Sequence, residues 1–141
     1  MTRLGLEEYF LGICDSVSKR GTCDRKLVGA VIVRDKMILS TGYNGSPRGM
    51  PHCSDVGCEI EGDHCIRTTH AEANALIQAA RHGIKIDKAE LFCTMVPCYS
   101  CAKLLVNAGI CKVTAKEDYH ASEKTKKLFK SVFIPLKICK S

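Results

Sequence analysis

The sequence predicts an α/β fold with a partly parallel sheet. Short β-branched and apolar runs alternate along the chain with longer segments of helical periodicity, the pattern of strand–helix–strand units. Two of the helical segments end at a glycine, Gly83 and Gly109, where helices commonly stop. The 141 residues, 45% of them apolar, suit one compact domain with its own core, read here as residues 1–141.

The elements follow in order. Leu6, Tyr9, Phe10, Ile13 and Val17 recur at spacings of three and four, which predicts an amphipathic helix from about Gly5 to Lys19, with Gly21 to end it. Leu27 to Val33 reads as a buried strand. Asp35-Lys36 is a turn, and Met37 to Tyr43 is a second strand paired with the first as a hairpin. Residues 44–67 are rich in Gly, Pro, Cys, His and Asp and read as a loop. A loop that long in a compact domain is usually functional or tied down. His70 to His82 predicts an alanine-rich helix, and Glu90 to Met95 a strand. Pro97 stands where helices begin, so Cys98 to Ala108 predicts the next helix. Ile110 to Ala115 is a fourth strand. Ser122 is a candidate N-cap for a helix through Lys130, and Val132 to Ile138 makes a fifth strand.

Composition narrows the classes of function. No apolar run is long enough to span a membrane, and the first residues lack a basic segment followed by an apolar core, so a cytoplasmic protein with no membrane partner is expected. The net charge of +6 suits anionic partners, nucleotides among them. Lys124, Lys126, Lys127 and Lys130 read as a solvated helix face. Ten cysteines without a secretory signal point to metal binding rather than a disulfide framework. Cys14, Cys93, Cys111 and Cys139 sit among apolar residues and are expected to be small core residues.

The chemistry concentrates between Thr68 and Lys103. His70 and the Cys98-x-x-Cys101 pair offer one imidazole and two thiolates. Zinc takes four ligands, so three protein donors leave one position for water, the ligand count of a catalytic site. Each donor set opens a predicted helix, where unpaired N–H groups and the positive end of the dipole favour thiolate. Glu72 is the candidate proton shuttle, taking a proton from water and delivering it to a ring nitrogen and then to departing ammonia. Residues two apart on a regular helix point in nearly opposite directions. His70 and Glu72 therefore cooperate only if His70 stands at the very start of its helix.

His-x-Glu followed by Pro-Cys-x-x-Cys matches the zinc deaminase signature. With Thr22-Cys23-Asp24-Arg25, residues 28–33, Gly42-Tyr43-Asn44-Gly45-Ser46, His52-Cys53, residues 64–68 and Glu117-Asp118-Tyr119, the chain resembles the cytidine/deoxycytidylate deaminase superfamily. Within it the likeness is to dCMP deaminases, including the late-competence-operon type. The resemblance implies a three-layer α/β/α cytidine deaminase-like fold with a five-stranded mixed sheet. It implies one catalytic Zn²⁺ per chain and hydrolysis of dCMP to dUMP and ammonia, with dUMP feeding thymidylate synthesis.

Asn44-Gly45 on its own reads as a hairpin turn. The resemblance instead places Asn44, Gly45 and Ser46 against the nucleotide. There Asn44 would hold the sugar or base edge, and Ser46 with Arg25, Arg48 or Arg67 would meet the 5′-phosphate. Tyr119 would pack on the base. It also implies a second, structural zinc, held by four of the five candidates Cys23, Cys53, Cys58, His64 and Cys65. A homohexamer activated by dCTP with Mg²⁺ and inhibited by dTTP goes with the same family, and Arg81 is a candidate effector contact. Two alternatives stand beside this reading. One is a tRNA or single-stranded DNA deaminase using the lysine-rich C-terminal segment, although no nucleic-acid partner is expected. The other is a non-catalytic, zinc-stapled assembly module.

Overall fold

The computed structural model describes residues 2–140. Helix α1 (Leu6–Ser18) leads into the hairpin β1 (Gly29–Arg34) and β2 (Met37–Tyr43). A short helix α2 (Cys53–Val56) and a small ribbon, β3 (Ile60–Glu61) and β4 (His64–Cys65), precede helix α3 (Ala71–Arg81). Then come β5 (Glu90–Met95), α4 (Tyr99–Asn107), β6 (Lys112–Glu117), α5 (Glu123–Ser131) and β7 (Leu136–Lys140).

The main sheet has the order β2-β1-β5-β6-β7. β1 is antiparallel to both of its neighbours, whereas β5, β6 and β7 run parallel. The mixed, five-stranded sheet is therefore as expected. Strand β1 is buried on both faces because its side chains alternate. Val31 and Val33 pack with Phe10, Leu11 and Cys14 of α1 and with Phe92 of β5. Ala30 and Ile32 turn the other way, into a cluster with Ala71 and Ala75 of α3, Ala102 and Leu105 of α4, and Phe129 of α5. That gives three layers, with α1 on one face and α3, α4 and α5 on the other.

The alanines of α3 let it lie close to the sheet. A Cβ at Gly42 would strike the Ala71 carbonyl and the Ala75 amide of α3, so only glycine fits under this helix. The Ser40 hydroxyl donates to the Ala75 carbonyl at 2.7 Å and holds the same seam.

The hairpin turn falls where expected, with Asp35 and Lys36 both at positive φ. The last two strands start later than predicted, and helix capping explains both shifts. At the end of α4, Gly109 has φ 86°, its N–H reaches the Val106 carbonyl and the Ile110 N–H reaches that of Leu105. Ile110 is thus spent on a Schellman cap before β6 can begin. Helix α5 ends identically, with Phe133 at φ 61° in the position glycine holds elsewhere and the Ile134 N–H on the Phe129 carbonyl. No glycine marked that end. Ser122 does stand before α5, but it makes no side-chain cap.

Cys14 and Cys93 are fully buried, as expected. Cys111 and Cys139 are corrected: both are exposed. Cys111 lies in the turn before β6, with its thiol on the Lys88 carbonyl, and Cys139 sits on an edge strand, with its thiol on Glu7. Among the described residues, no helix is long and apolar enough to cross a membrane.

Phe133 combines a left-handed backbone with a side chain 90% exposed, so its ring gives little in return for the strain. Phe133→Gly is expected to stabilise the fold by about 1 kcal/mol in urea unfolding. A loss of stability would show that the ring is packed in solution.

Candidate active site

His70 is the N-cap of α3, with extended φ −68° and ψ 153°. Its side chain is thereby off the helical lattice, which meets the condition set by the His70–Glu72 spacing. Cys98 is the N-cap of α4, with φ −66° and ψ 166°, and Cys101 lies in that helix's first turn. Strand β5 delivers Cys98, since Val96 and Pro97 bridge the strand to the helix and the Val96 N–H bonds the Glu117 carbonyl of the next strand. The Thr125 hydroxyl of α5 donates to the Pro97 carbonyl at 2.9 Å and fixes the turn from the other side.

The three donor atoms come together. His70 Nδ1 lies 3.4 Å from the Sγ of Cys98 and 3.4 Å from that of Cys101. A tetrahedral zinc with ordinary bond lengths separates its imidazole nitrogen from a thiolate sulfur by about 3.5 Å, so the set fits the ion. Cys98 is held as thiolate, its thiol brought down to about 4 by the Cys101 hydrogen bond first and also by His70. Cys101 moves the other way, raised by sharing its proton with Cys98 and by burial. The Cys98 thiolate raises His70, against the opposing effect of burial.

Glu72 is only 4% exposed, and burial lifts its carboxyl to about 7, opposed by the nearby His70 charge. It shares a cavity of about 300 Å³ with His70 and Cys98. Arg25, Lys26, Asn44, Asp63, His64, Tyr119 and His120 also line this cavity. The Tyr119 and His120 rings lie 4.5 Å apart.

The structure sorts the remaining predicted residues. Asn44 is buried, but both ends of its amide hold backbone. Its oxygen accepts the Val28 N–H at 2.8 Å, and its nitrogen donates to the Lys26 carbonyl at 2.7 Å. Gly45 pairs with Thr69 in an isolated bridge and forms no hairpin turn. Ser46 does not line the cavity, and its hydroxyl is buried with no partner. Of the three candidate arginines only Arg25 reaches the cavity wall; Arg48 is exposed elsewhere, and Arg67 donates to the Gly57 carbonyl at 3.0 Å. Arg81 is exposed in the last turn of α3.

The second group of donors comprises four of the five candidates. The sulfurs of Cys23, Cys53, Cys58 and Cys65 all lie within 4.8 Å of one another. His64 is corrected, for it stands outside this cluster. His64 lines the cavity beside Cys65, but its ring is not among the converging donors. Lys26 and His120 were missed in the sequence. Neither belongs to a recognisable motif, and only the adjacency of His120 to Tyr119 hinted at it.

A His/Cys/Cys donor set at two helix starts, with a buried carboxylate beside it on an α/β/α frame, defines a zinc-dependent deaminase. The family model for the cytidine and deoxycytidylate deaminase zinc-binding region matches residues 5–117, and the chain belongs to that family. It is 43% identical to ComE operon protein 2 of Bacillus subtilis over 92% of this chain and 68% of that protein. It is 33% identical to the deoxycytidylate deaminase of Saccharomyces cerevisiae over 97% of this chain but only 46% of that protein. The crystal structure of the cyanophage S-TIM5 dCMP deaminase in complex with dCMP and dUMP matches all of both chains, with a TM-score of 0.86 and 30% identity.

Burying Glu72 carries a pH signature. Folded, the carboxyl keeps its proton up to about pH 7; unfolded, it releases it near 4.5. The folded state therefore binds more protons across that window, and its stability falls as pH rises through it. Metal-free protein is expected to lose on the order of 3 kcal/mol between these limits through Glu72. Glu72→Gln should lack that component. Parallel urea titrations of the two chelated proteins check this, and equal pH slopes would contradict it.

Proposed function

We propose that this protein hydrolyses dCMP to dUMP and ammonia. The observation that carries the proposal is the convergence of His70, Cys98 and Cys101 beside a cavity that Glu72 shares with His70 and Cys98, on a fold that a dCMP deaminase shares over its full length. In this reading His70, Cys98 and Cys101 hold the zinc. Zinc in such a site polarises water and lowers its pKa towards neutrality.

The protein's own residues supply the rest. Glu72 accepts a proton from water and passes it to the ring nitrogen beside the amine-bearing carbon. It then carries a proton to the amine as the carbon–nitrogen bond breaks, so one water is consumed and one ammonia leaves. A carboxyl that burial poises near neutral pH suits both transfers. Tyr119 packs against the base. Asn44 spends one amide hydrogen on Lys26, which leaves the second for the sugar. Arg25 and Lys26 supply positive charge to the 5′-phosphate, with the His64 ring beside them as a hydrogen-bonding group.

The same proposal includes a four-thiolate second zinc and a homo-oligomer, a hexamer by kinship. It includes a cytoplasmic location, and control by dCTP with Mg²⁺ and by dTTP, with Arg81 as an effector contact. Kinship supports the regulation. Apolar side chains left exposed on the helical layer, Ile77 of α3 and Leu104 of α4, support the assembly.

Ammonia release from dCMP, dCTP and deoxycytidine in parallel tests the reaction. dCMP is expected to be the best substrate by kcat/KM. Glu72→Ala should lower kcat by about 10³-fold or more while the protein keeps its zinc. Turnover of none of the three by zinc-loaded protein would contradict the proposal.

A further inference from the structure

The four-cysteine cluster stands next to the cavity, and two of its thiols are part of the cavity wall. Cys23 and Cys65 line it; Cys53 and Cys58 do not. The cluster also joins the two chain segments that carry Arg25 and His64 into the cavity lining. Cys23 lies two residues before Arg25, and Cys65 directly follows His64. The Arg25 guanidinium donates to the carbonyl of Asp63, which links the two segments across the cavity mouth at 3.1 Å.

Little else holds the second segment. β3 and β4 pair only with each other and have two residues each. Neither strand contributes a buried residue, and Ile60 is 48% exposed. A two-stranded ribbon without an apolar face is marginal in water. The sulfur contacts supply what the ribbon lacks. Cys23 meets Cys58 at 3.5 Å, and Cys53 meets Cys65 at 3.5 Å. In a tetrahedral four-thiolate zinc the sulfurs stand about 3.8 Å apart, so the set fits that ion.

We propose that the four-cysteine centre is a positioning element for substrate. Its occupancy by zinc sets the place of Arg25 and His64, and through them the affinity for the nucleotide's phosphate. This rests on the dCMP reading above. It goes beyond a structural staple, because it assigns the centre an effect on KM rather than on stability alone.

Cys58 is the residue to change, since it is half-buried and away from the cavity. Cys58→Ser should drop the zinc content from two per chain to one. KM for dCMP and the calorimetric Kd for dUMP should each rise about tenfold or more, with kcat within about twofold, as expected when binding rather than the chemical step is lost. Turnover of deoxycytidine, which has no phosphate to place, should keep its kcat/KM. Cys58→His restores a ligand and should restore both the second zinc and the KM.

Loss of one zinc with KM and Kd unchanged would overturn the inference, as would a wild-type protein that holds a single zinc. If Cys58→Ser does not fold, Arg25→Ala decides: a raised KM with both zincs retained supports the wall, and an unchanged KM overturns it. A wild-type protein with two zincs that leaves dCMP intact would sink the functional reading instead, so the two failures are distinct.

Discussion

Two helix N-termini meeting at one point is the constraint on which the rest of the molecule depends. The imidazole of His70 and the thiols of Cys98 and Cys101 reach each other only because α3 and α4 both start past the same end of the sheet. Unpaired backbone N–H groups and the helix dipoles make that point favourable for negative charge. Thiolates would otherwise be costly to bring together. The sheet fixes the distance between the two starts. β5 carries α4 on its end, and β2 with β1 seats α3 through the Gly42 and Ser40 contacts.

Burial then determines what Glu72 can do. The same α3 start that frees His70 from the helical lattice leaves Glu72 one residue into the helix and pointing inward. Low polarity around the carboxyl raises its proton affinity, while the nearby His70 charge opposes that rise. A group balanced in this way can take and return a proton near neutral pH. Sharing the cavity with it are Arg25 and Lys26, from the stretch before β1, and His64 of β4.

Much of this was legible in the sequence because the strong signals are local. Strand β5 and strand β2 have the predicted bounds, since their apolar runs are interrupted cleanly by turn residues. The metal donors were legible because ligand chemistry needs particular residue types at particular spacings. Long-range packing was less visible. Asn44 looked like half of a turn and is instead the clasp between β2 and the Lys26–Val28 stretch. The late start of β7 was obscured because a phenylalanine takes the glycine position in the cap of α5. His64 was grouped with the thiols because sequence adjacency does not reveal which donor atoms converge. Lys26 and His120 reach the cavity only through the fold.

The central claim is that His70, Cys98 and Cys101 form the centre at which a pyrimidine nucleotide reacts. Anomalous diffraction at the zinc absorption edge, from crystals grown with dUMP, tests it most directly. The account predicts a zinc peak bonded by His70 Nδ1 and the sulfurs of Cys98 and Cys101, with the pyrimidine ring beside it and the phosphate against Arg25. A nucleotide bound elsewhere, or a map with zinc at the four-cysteine cluster and none among these three residues, would contradict it.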